Sequence, residues 1–267
     1  MGRTGKEEPQ KARAGFQQVR AQEEGRLTDS PLTAGPAGRS DLLIFDLDGT
    51  LVDSQRDLAD SVNAMRAWMG LPQISDDVVS SYVGDGAPML VRRALPGASE
   101  EDLAQGLRYF LDYYRAHMLD ATTLYPGVRE ALDLLHQARV PMAILTNKPV
   151  NFSVRMIQRL RLDQHFFRIY GGNSFEDKKP HPVGIEKLRA ESGAARERTV
   201  MVGDSAVDVR TARNAGVQAC GVAWGFQPQT FAEAPPDFVI GDMGELVDRV
   251  LRFDLAPSAP LDGLSGA

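Results

Sequence analysis

Four consecutive apolar residues, Leu42-Leu43-Ile44-Phe45, run directly into Asp46-Leu47-Asp48-Gly49-Thr50, and this junction constrains the fold more than any other segment of the chain. A short unbroken apolar run bounded by a turn signal reads as a strand buried on both faces, the kind found inside parallel sheets. Gly49 marks the point where the strand gives way to a turn. Side chains two residues apart on an extended segment project to the same side, so Asp46 and Asp48 repel one another unless a cation, a substrate or a raised pKa intervenes. Packing has no use for two carboxylates there. The carboxyl ends of strands are where open α/β sheets place their ligands, and a hard divalent cation suits paired carboxylates.

The pattern downstream agrees. Residues 57–70 carry Leu58, Val62, Met65 and Met69 at helical spacing, and residues 76–82, 88–95 and 100–119 suit further helices, separated by Gly84-Asp85-Gly86 and Pro96-Gly97. From Tyr125-Pro126-Gly127 onward helix and strand alternate. A helix carries Val128, Ala131, Leu132, Leu134 and Leu135; strands are expected at 141–146, 167–170, 199–202, 218–222 and 238–240, with helices at 151–160 and 182–193. The alternation predicts an α/β fold, a parallel sheet core with helices on both faces formed by residues 41–53 and 124–251. Residues 54–123 form an all-helical insertion that hangs over the end of the first strand, where it can act as a lid. Residues 1–40 lack the apolar run of a secretory signal and read as a disordered leader, and residues 252–267 as a flexible tail.

The bulk composition, 43% apolar and 25% charged over 267 residues, is that of a globular protein. A net charge of −6 gives no global field favouring nucleic acid or an anionic membrane, so an anionic substrate needs a local site. No stretch approaches the ~18 apolar residues that span a bilayer. Cys220 is the only cysteine, which excludes an internal disulfide and a cysteine-based zinc cluster and fits a reducing compartment. A cytoplasmic monomer or homodimer is expected. His117, His136, His165 and His181 share no metal-ligand spacing.

Other predicted strand ends are polar as well. One ends in Thr146-Asn147-Lys148 and another in Gly203-Asp204-Ser205 with Asp208 a helical turn later; Lys178-Lys179-Pro180 lies between them. Thr146 and Asn147 offer donors to phosphate oxygens, Lys179 offers a charge to balance phosphoryl transfer, and Asp204 offers a third carboxylate to a metal. The ordered set Asp46/Asp48, Thr146, Lys179, Asp204/Asp208 resembles the haloacid dehalogenase superfamily of aspartate-dependent phosphohydrolases, over about residues 41 to 251. Within it the helical insertion, Val83-Gly84-Asp85-Gly86-Ala87 and Lys179-Pro180-His181-Pro182 resemble the phosphoglycolate phosphatase branch.

That resemblance implies a Rossmann-like core with an inserted helical cap, and roles for named residues. Asp46 would attack phosphorus, forming an aspartyl-phosphate, and ligate magnesium; Asp48 would protonate the leaving alcohol and then activate water, its backbone carbonyl also meeting the metal. Thr50 would help orient Asp48. Thr146, Asn147 and Lys179 would hold the transferring group, Asp204 would ligate magnesium, and Ser205 and Asp208 would lie behind these groups, Asp208 positioning Lys179 or a water on the metal. In the insertion, Gly84-Asp85-Gly86 permits close backbone approach to a ligand. Arg92 and Arg93, or the more distant Arg66, Arg108 and Arg115, are candidates to pair with a substrate carboxylate such as that of glycolate.

The leading expectation is a magnesium-dependent phosphatase acting on a small phosphorylated metabolite, with 2-phosphoglycolate foremost. The alternatives are a sugar phosphate, an amino-sugar phosphate or pyrophosphate as substrate, or a phosphomutase on the same core. Dehalogenases of the superfamily lack the second Asp, so Asp48 counts against that chemistry. Phosphonate-cleaving relatives use a cap lysine, and no Lys occurs between Gly49 and Asn147. A binding module descended from an enzyme would have lost an Asp or Lys from the set, and none is missing.

Overall fold

The computed structural model describes residues 42–251, so the expected leader and tail lie outside the described residues. In chain order the elements are β1 (Leu42–Phe45), β2 (Val52–Asp53), α1 (Gln55–Trp68), α2 (Asp76–Tyr82), α3 (Ala87–Ala94), α4 (Glu100–His117) and β3 (Thr123–Leu124). After them come α5 (Val128–Gln137), β4 (Met142–Leu145), α6 (Val150–Arg159), β5 (Arg168–Tyr170), α7 (Val183–Ser192), β6 (Thr199–Gly203), α8 (Ala206–Ala215), β7 (Gln218–Val222), β8 (Phe238–Ile240) and α9 (Met243–Leu251).

Strand β1 lies inside a six-stranded sheet of order β5-β4-β1-β6-β7-β8, and every pairing in it is parallel. Its four apolar residues divide by the two-residue period of a strand. Leu43 and Phe45 join Met142, Ile144, Val200 and Val202 on one face, packed against α5, α6 and α9. Leu42 and Ile44 join Ala143, Leu145 and Met201 on the other, covered by α7 and α8. All four are fully buried. The unbroken apolar run is therefore explained by cover on both faces, as parallel sheets require.

Helices α1 to α4 pack on one another, and their core residues Leu58, Val62, Met65, Leu90 and Phe110 are continuous with the first face of the sheet. Ser75 and Ser99 cap α2 and α4 by accepting from Val78 N and Asp102 N. Glu100, Glu101 and Asp102 place negative charge in the first turn of α4, where the helix dipole favours it. Among the described residues no helix is long and apolar enough to cross a membrane.

Most elements fall within a residue or two of the sequence reading. It had no account of helix α9 or of the two-residue ladder in which Val52 faces Leu124 and Asp53 faces Thr123. That ladder ties the chain entering α1 to the chain leaving α4. Asp57 reinforces it from the first turn of α1, although it is 2% exposed. Its carboxylate accepts from Ala121 N at 2.9 Å, Thr122 N at 2.8 Å and Thr122 Oγ1 at 2.6 Å. Asp57→Ala leaves three donors without their acceptor and is expected to lower unfolding free energy by about 2–4 kcal/mol. Urea denaturation measures it, and a loss below about 0.5 kcal/mol would contradict this role.

Candidate active site

Because the sheet is parallel, the segments that follow β1, β4, β5, β6 and β7 emerge at one edge. They meet α1, α3 and α4 across a cleft of about 670 Å³, part of it open to solvent. Asp46, Asp48, Thr146, Asn147, Lys148, Asp204 and Ser205 line its sheet side; Leu58, Gly84, Gly86, Leu90, Phe110 and Tyr114 line its helical side.

Asp46, directly after β1, is 8% exposed. Its Oδ1 accepts from Leu47 N at 2.7 Å and lies 3.0 Å from Lys179 Nζ. Burial, followed by the negative charge of Asp208, pushes the Asp46 carboxyl up to about 6 against the pull of Lys179. Lys179 also donates to Asp208 Oδ1 at 2.6 Å. Burial opposes its charge, but the two carboxylates outweigh burial and hold its pKa above the usual lysine value.

Asp208 is fixed from the other side by Ser205, whose hydroxyl and amide both donate to Asp208 Oδ2, at 2.8 and 3.2 Å. The pair forms the capping box of α8, so one Asp starts a helix and holds the lysine. Asp204 Oδ2 accepts from Phe226 N at 2.7 Å and Gln227 N at 3.3 Å. Burial first, then the charges of Asp208 and Asp46, raise its pKa well above the ordinary carboxylate range. Its surroundings admit no side chain from two backbone neighbours. A Cβ on Gly49, at φ +79°, would lie 2.3 Å from Asp204 Oδ2, and one on Gly225 would lie 2.1 Å from Asp204 Cβ.

Asp46, Asp204 and Asp208 each bring a carboxylate oxygen within 4.8 Å of the others. One ammonium does not neutralise three carboxylates. The bonds to Asp208 use both of its oxygens, whereas those to Asp46 fall on Oδ1 and those to Asp204 on Oδ2. One oxygen of each remains for a cation, and an all-oxygen, doubly negative donor set fits a hard divalent ion such as magnesium.

Asp48 is held differently from expectation. Ser54 Oγ donates to its Oδ1 at 2.6 Å, and Lys148 Nζ donates to Oδ1 and Oδ2 at 2.8 and 2.9 Å. Thr50 does not orient it: the Thr50 hydroxyl is buried without a hydrogen-bond partner, because the tight turn at Gly49 sends Ser54 rather than Thr50 to the carboxylate. Lys148 also donates to the Tyr114 hydroxyl of α4. The sequence reading named neither Ser54 nor Tyr114, and it quoted Lys148 only as the residue after Asn147.

The remaining expectations divide. Thr146 lines the cleft, its hydroxyl accepting from Lys148 N at 3.3 Å. The Asn147 side chain is not a free phosphate donor: its amide bonds Gly84 O at 2.8 Å and Lys179 O at 3.1 Å, which makes it a bracket between sheet and insertion. Gly84 and Gly86 line the cleft, but the Asp85 carboxylate turns to Arg93. Arg92 does not reach the site. It lies on the outer face of α3, half exposed, paired with Glu100 at 2.9 Å, because Ala87, Leu90, Val91 and Ala94 take the inner face. Arg93 is occupied by Tyr82 O at 2.9 Å as well as by Asp85.

The model of the haloacid dehalogenase-like hydrolases matches residues 43–222, from β1 to the end of β7. The chain belongs to that family. It is 39% identical over 209 residues to a phosphoglycolate phosphatase of Chromobacterium violaceum, covering 76% of this chain and 93% of that one. It is 36% identical to another of Vibrio parahaemolyticus, covering 78% and 95%. The crystal structure of a predicted phosphoglycolate phosphatase from Haemophilus somnus 129pt superposes with a TM-score of 0.76 at 31% identity, over 80% of this chain and 99% of that one.

The acid cluster has a signature in stability. The Asp46 carboxyl binds its proton more tightly in the folded chain than its ordinary value of 3.8 allows in the unfolded one. Folding therefore favours the protonated form, and the penalty is full above about pH 6 and relieved as pH falls toward 4. Without divalent cation, Tm is expected to rise by a few degrees from pH 7.5 to 5, and Asp46→Asn to raise Tm at pH 7.5 and flatten the profile. Magnesium should stabilise at pH 7.5 and less at pH 5, since its ligands must be deprotonated. Scanning calorimetry checks both, and a profile unchanged by Asp46→Asn contradicts this account of the site.

Proposed function

We propose that this protein is a magnesium-dependent phosphatase that hydrolyses a small phosphorylated metabolite, foremost 2-phosphoglycolate, to the alcohol and phosphate. The observation that carries the reading is Asp46 at the end of β1 with the Lys179 ammonium 3.0 Å from its carboxylate and Asp48 two residues on. A carboxylate attacks an anionic phosphoester only where positive charge is already in place. The printed names of the Chromobacterium and Vibrio relatives support phosphoglycolate as substrate.

In this mechanism an Asp46 oxygen attacks phosphorus as the bond to the leaving alcohol breaks, giving an aspartyl-phosphate. Asp48, steadied by Ser54 and Lys148, gives a proton to the leaving oxygen and then takes one from the water that attacks the aspartyl-phosphate, releasing phosphate and restoring Asp46. Lys179 and the Thr146 hydroxyl meet the transferring phosphoryl oxygens, and Asp208 with Ser205 keeps Lys179 in place. Magnesium, held by Asp46, Asp204 and the Asp48 carbonyl, would supply the remaining positive charge. In the proposed division, residues 41–53 and 124–251 form the catalytic core and residues 54–123 the cap that excludes water. A small phosphorylated metabolite as partner agrees with a cytoplasmic location.

Phosphate release across 2-phosphoglycolate, sugar phosphates, amino-sugar phosphates, nucleotides and pyrophosphate, with magnesium and with chelator, tests the reading. Magnesium-dependent turnover with 2-phosphoglycolate preferred is the expected result. Asp46→Asn should lower it by roughly 10⁴-fold while remaining folded, as nucleophile removal does in other covalent catalysts. Turnover by that variant at more than a few per cent of the parent rules out Asp46 as nucleophile.

A further inference from the structure

The cleft is short of positive charge: its helical side carries none, and its sheet side is mostly acidic. Among the described residues that line it, Asp46, Asp48 and Asp204 are acidic, and Lys148 is the only lysine or arginine. The arginines of the insertion are occupied or lie outside the cleft lining: Arg56 pairs with Asp60, Arg92 with Glu100, Arg93 with Asp85 and Tyr82 O, Arg115 with Asp112, Arg66 with the carbonyls of Pro72 and Ala94, and Arg108 is exposed on α4 away from the lining. Lys179 lies behind Asp46, engaged by Asp46 and Asp208 and assigned above to the phosphoryl group rather than to the leaving group. An anionic leaving group therefore has one cation to meet.

Lys148 is placed to be that cation: its three N–H groups go to Asp48 Oδ1, Asp48 Oδ2 and the Tyr114 hydroxyl, so it meets an anion in the cleft through its charge, or by giving up one of its two bonds to Asp48. Its side chain is 5% exposed, so its charge is poorly screened by water. Its ammonium is 2.8 Å from Asp48 Oδ1, beside the group assigned to the leaving oxygen. A carboxylate one carbon from that oxygen falls within reach of the same ammonium, whereas a charge at the far end of a longer leaving group does not. Tyr114, reaching in from α4, completes the arrangement. Its hydroxyl oxygen accepts from Lys148, so the hydroxyl hydrogen is left to donate into the cleft that the ring lines. The ammonium also lies 4.6 Å from the Tyr114 ring centroid, and this cation–π contact keeps the two groups together. The rest of the helical wall at this point, Leu58, Leu90 and Phe110, offers no polar partner.

We propose that Lys148 and the Tyr114 hydroxyl form the specificity site for a short anionic leaving group, receiving the carboxylate of a phosphorylated hydroxy acid. The proposal rests on the phosphatase reading above and adds to it the residues that distinguish an acidic alcohol from a neutral one. It also replaces the cap arginines as the source of the positive charge.

The test compares kcat/KM for 2-phosphoglycolate with that for 2-hydroxyethyl phosphate, a neutral ester of the same length, using the full chain with magnesium. The parent should prefer the acidic ester. Lys148→Met, which also frees Asp48, should slow both esters and in addition reduce that preference roughly tenfold or more, whereas Tyr114→Phe should reduce it about fivefold, chiefly through KM for the acidic ester. Tyr114→Phe, nearly isosteric, serves where Lys148→Met fails to fold, and glycolate inhibition should weaken in parallel with the lost preference. A folded Tyr114→Phe that keeps the parental ratio and the parental glycolate inhibition overturns the proposal while leaving the phosphatase reading intact. Silence of the parent on both esters and on every other phosphoester overturns both.

Discussion

The ammonium of Lys179, 3.0 Å from Asp46 and 2.6 Å from Asp208, lets a sheet end in acid without flying apart. Three carboxylates gathered within 4.8 Å and cut off from water repel strongly, and burial raises both Asp46 and Asp204. Much of the surrounding architecture follows from holding that group together. Ser205 and Asp208 start helix α8 so that the lysine has a fixed counter-ion, the turn at Gly49 leaves room for Asp204, and the segment after β7 brings two amides to its oxygen. The chain accepts this repulsion at one edge of an otherwise apolar sheet, where the proposed reaction needs negative oxygens ready to meet a cation and a phosphoryl group.

The helical layer answers a different question. In the proposed reading the sheet edge attacks phosphorus, and the wall made by Leu58, Leu90, Phe110 and Tyr114 faces what hangs from the phosphate. Lys148 joins the two layers, since it follows β4 in sequence yet touches Asp48 on one side and α4 on the other. Under the proposal, one side chain connects the proposed acid Asp48 to the helical wall.

The strands and the sheet-edge acids are legible in the sequence because each is a local pattern: an apolar run that stops at Asp, or Gly-Asp-Ser with Asp one turn on. The short ladder between Val52-Asp53 and Thr123-Leu124 carries no such mark, for its partners are joined only by tertiary pairing across the whole insertion. Tyr114 was invisible for the same reason: on α4 it is one aromatic in a stripe with Phe110, and only the packing of α4 against the loop after β4 gives it a lysine. Arg92 failed for a readable reason. The spacing of Ala87, Leu90, Val91 and Ala94 assigns the inner face of α3 to them and leaves Arg92 outside. Asn147 shows a limit of another kind, since residue type revealed its donors but not that Gly84 O and Lys179 O already take them.

At the turn around residues 80–85 the layer beneath grips the insertion through main-chain carbonyls. Asn147 holds Gly84 O, Lys178 holds Asp85 O, and the Gln227 amide faces the carbonyls of Ser80, Ser81 and Val83. None of these bonds reads a side chain of the insertion. The seam is therefore indifferent to which amino acids occupy positions 80–85, provided the turn keeps its shape. Such a joint constrains the outline of the turn rather than the side chains it carries, so the overlying helices can change in sequence while the edge beneath continues to meet the same shape: a coupling with a fixed thread that accepts interchangeable tools.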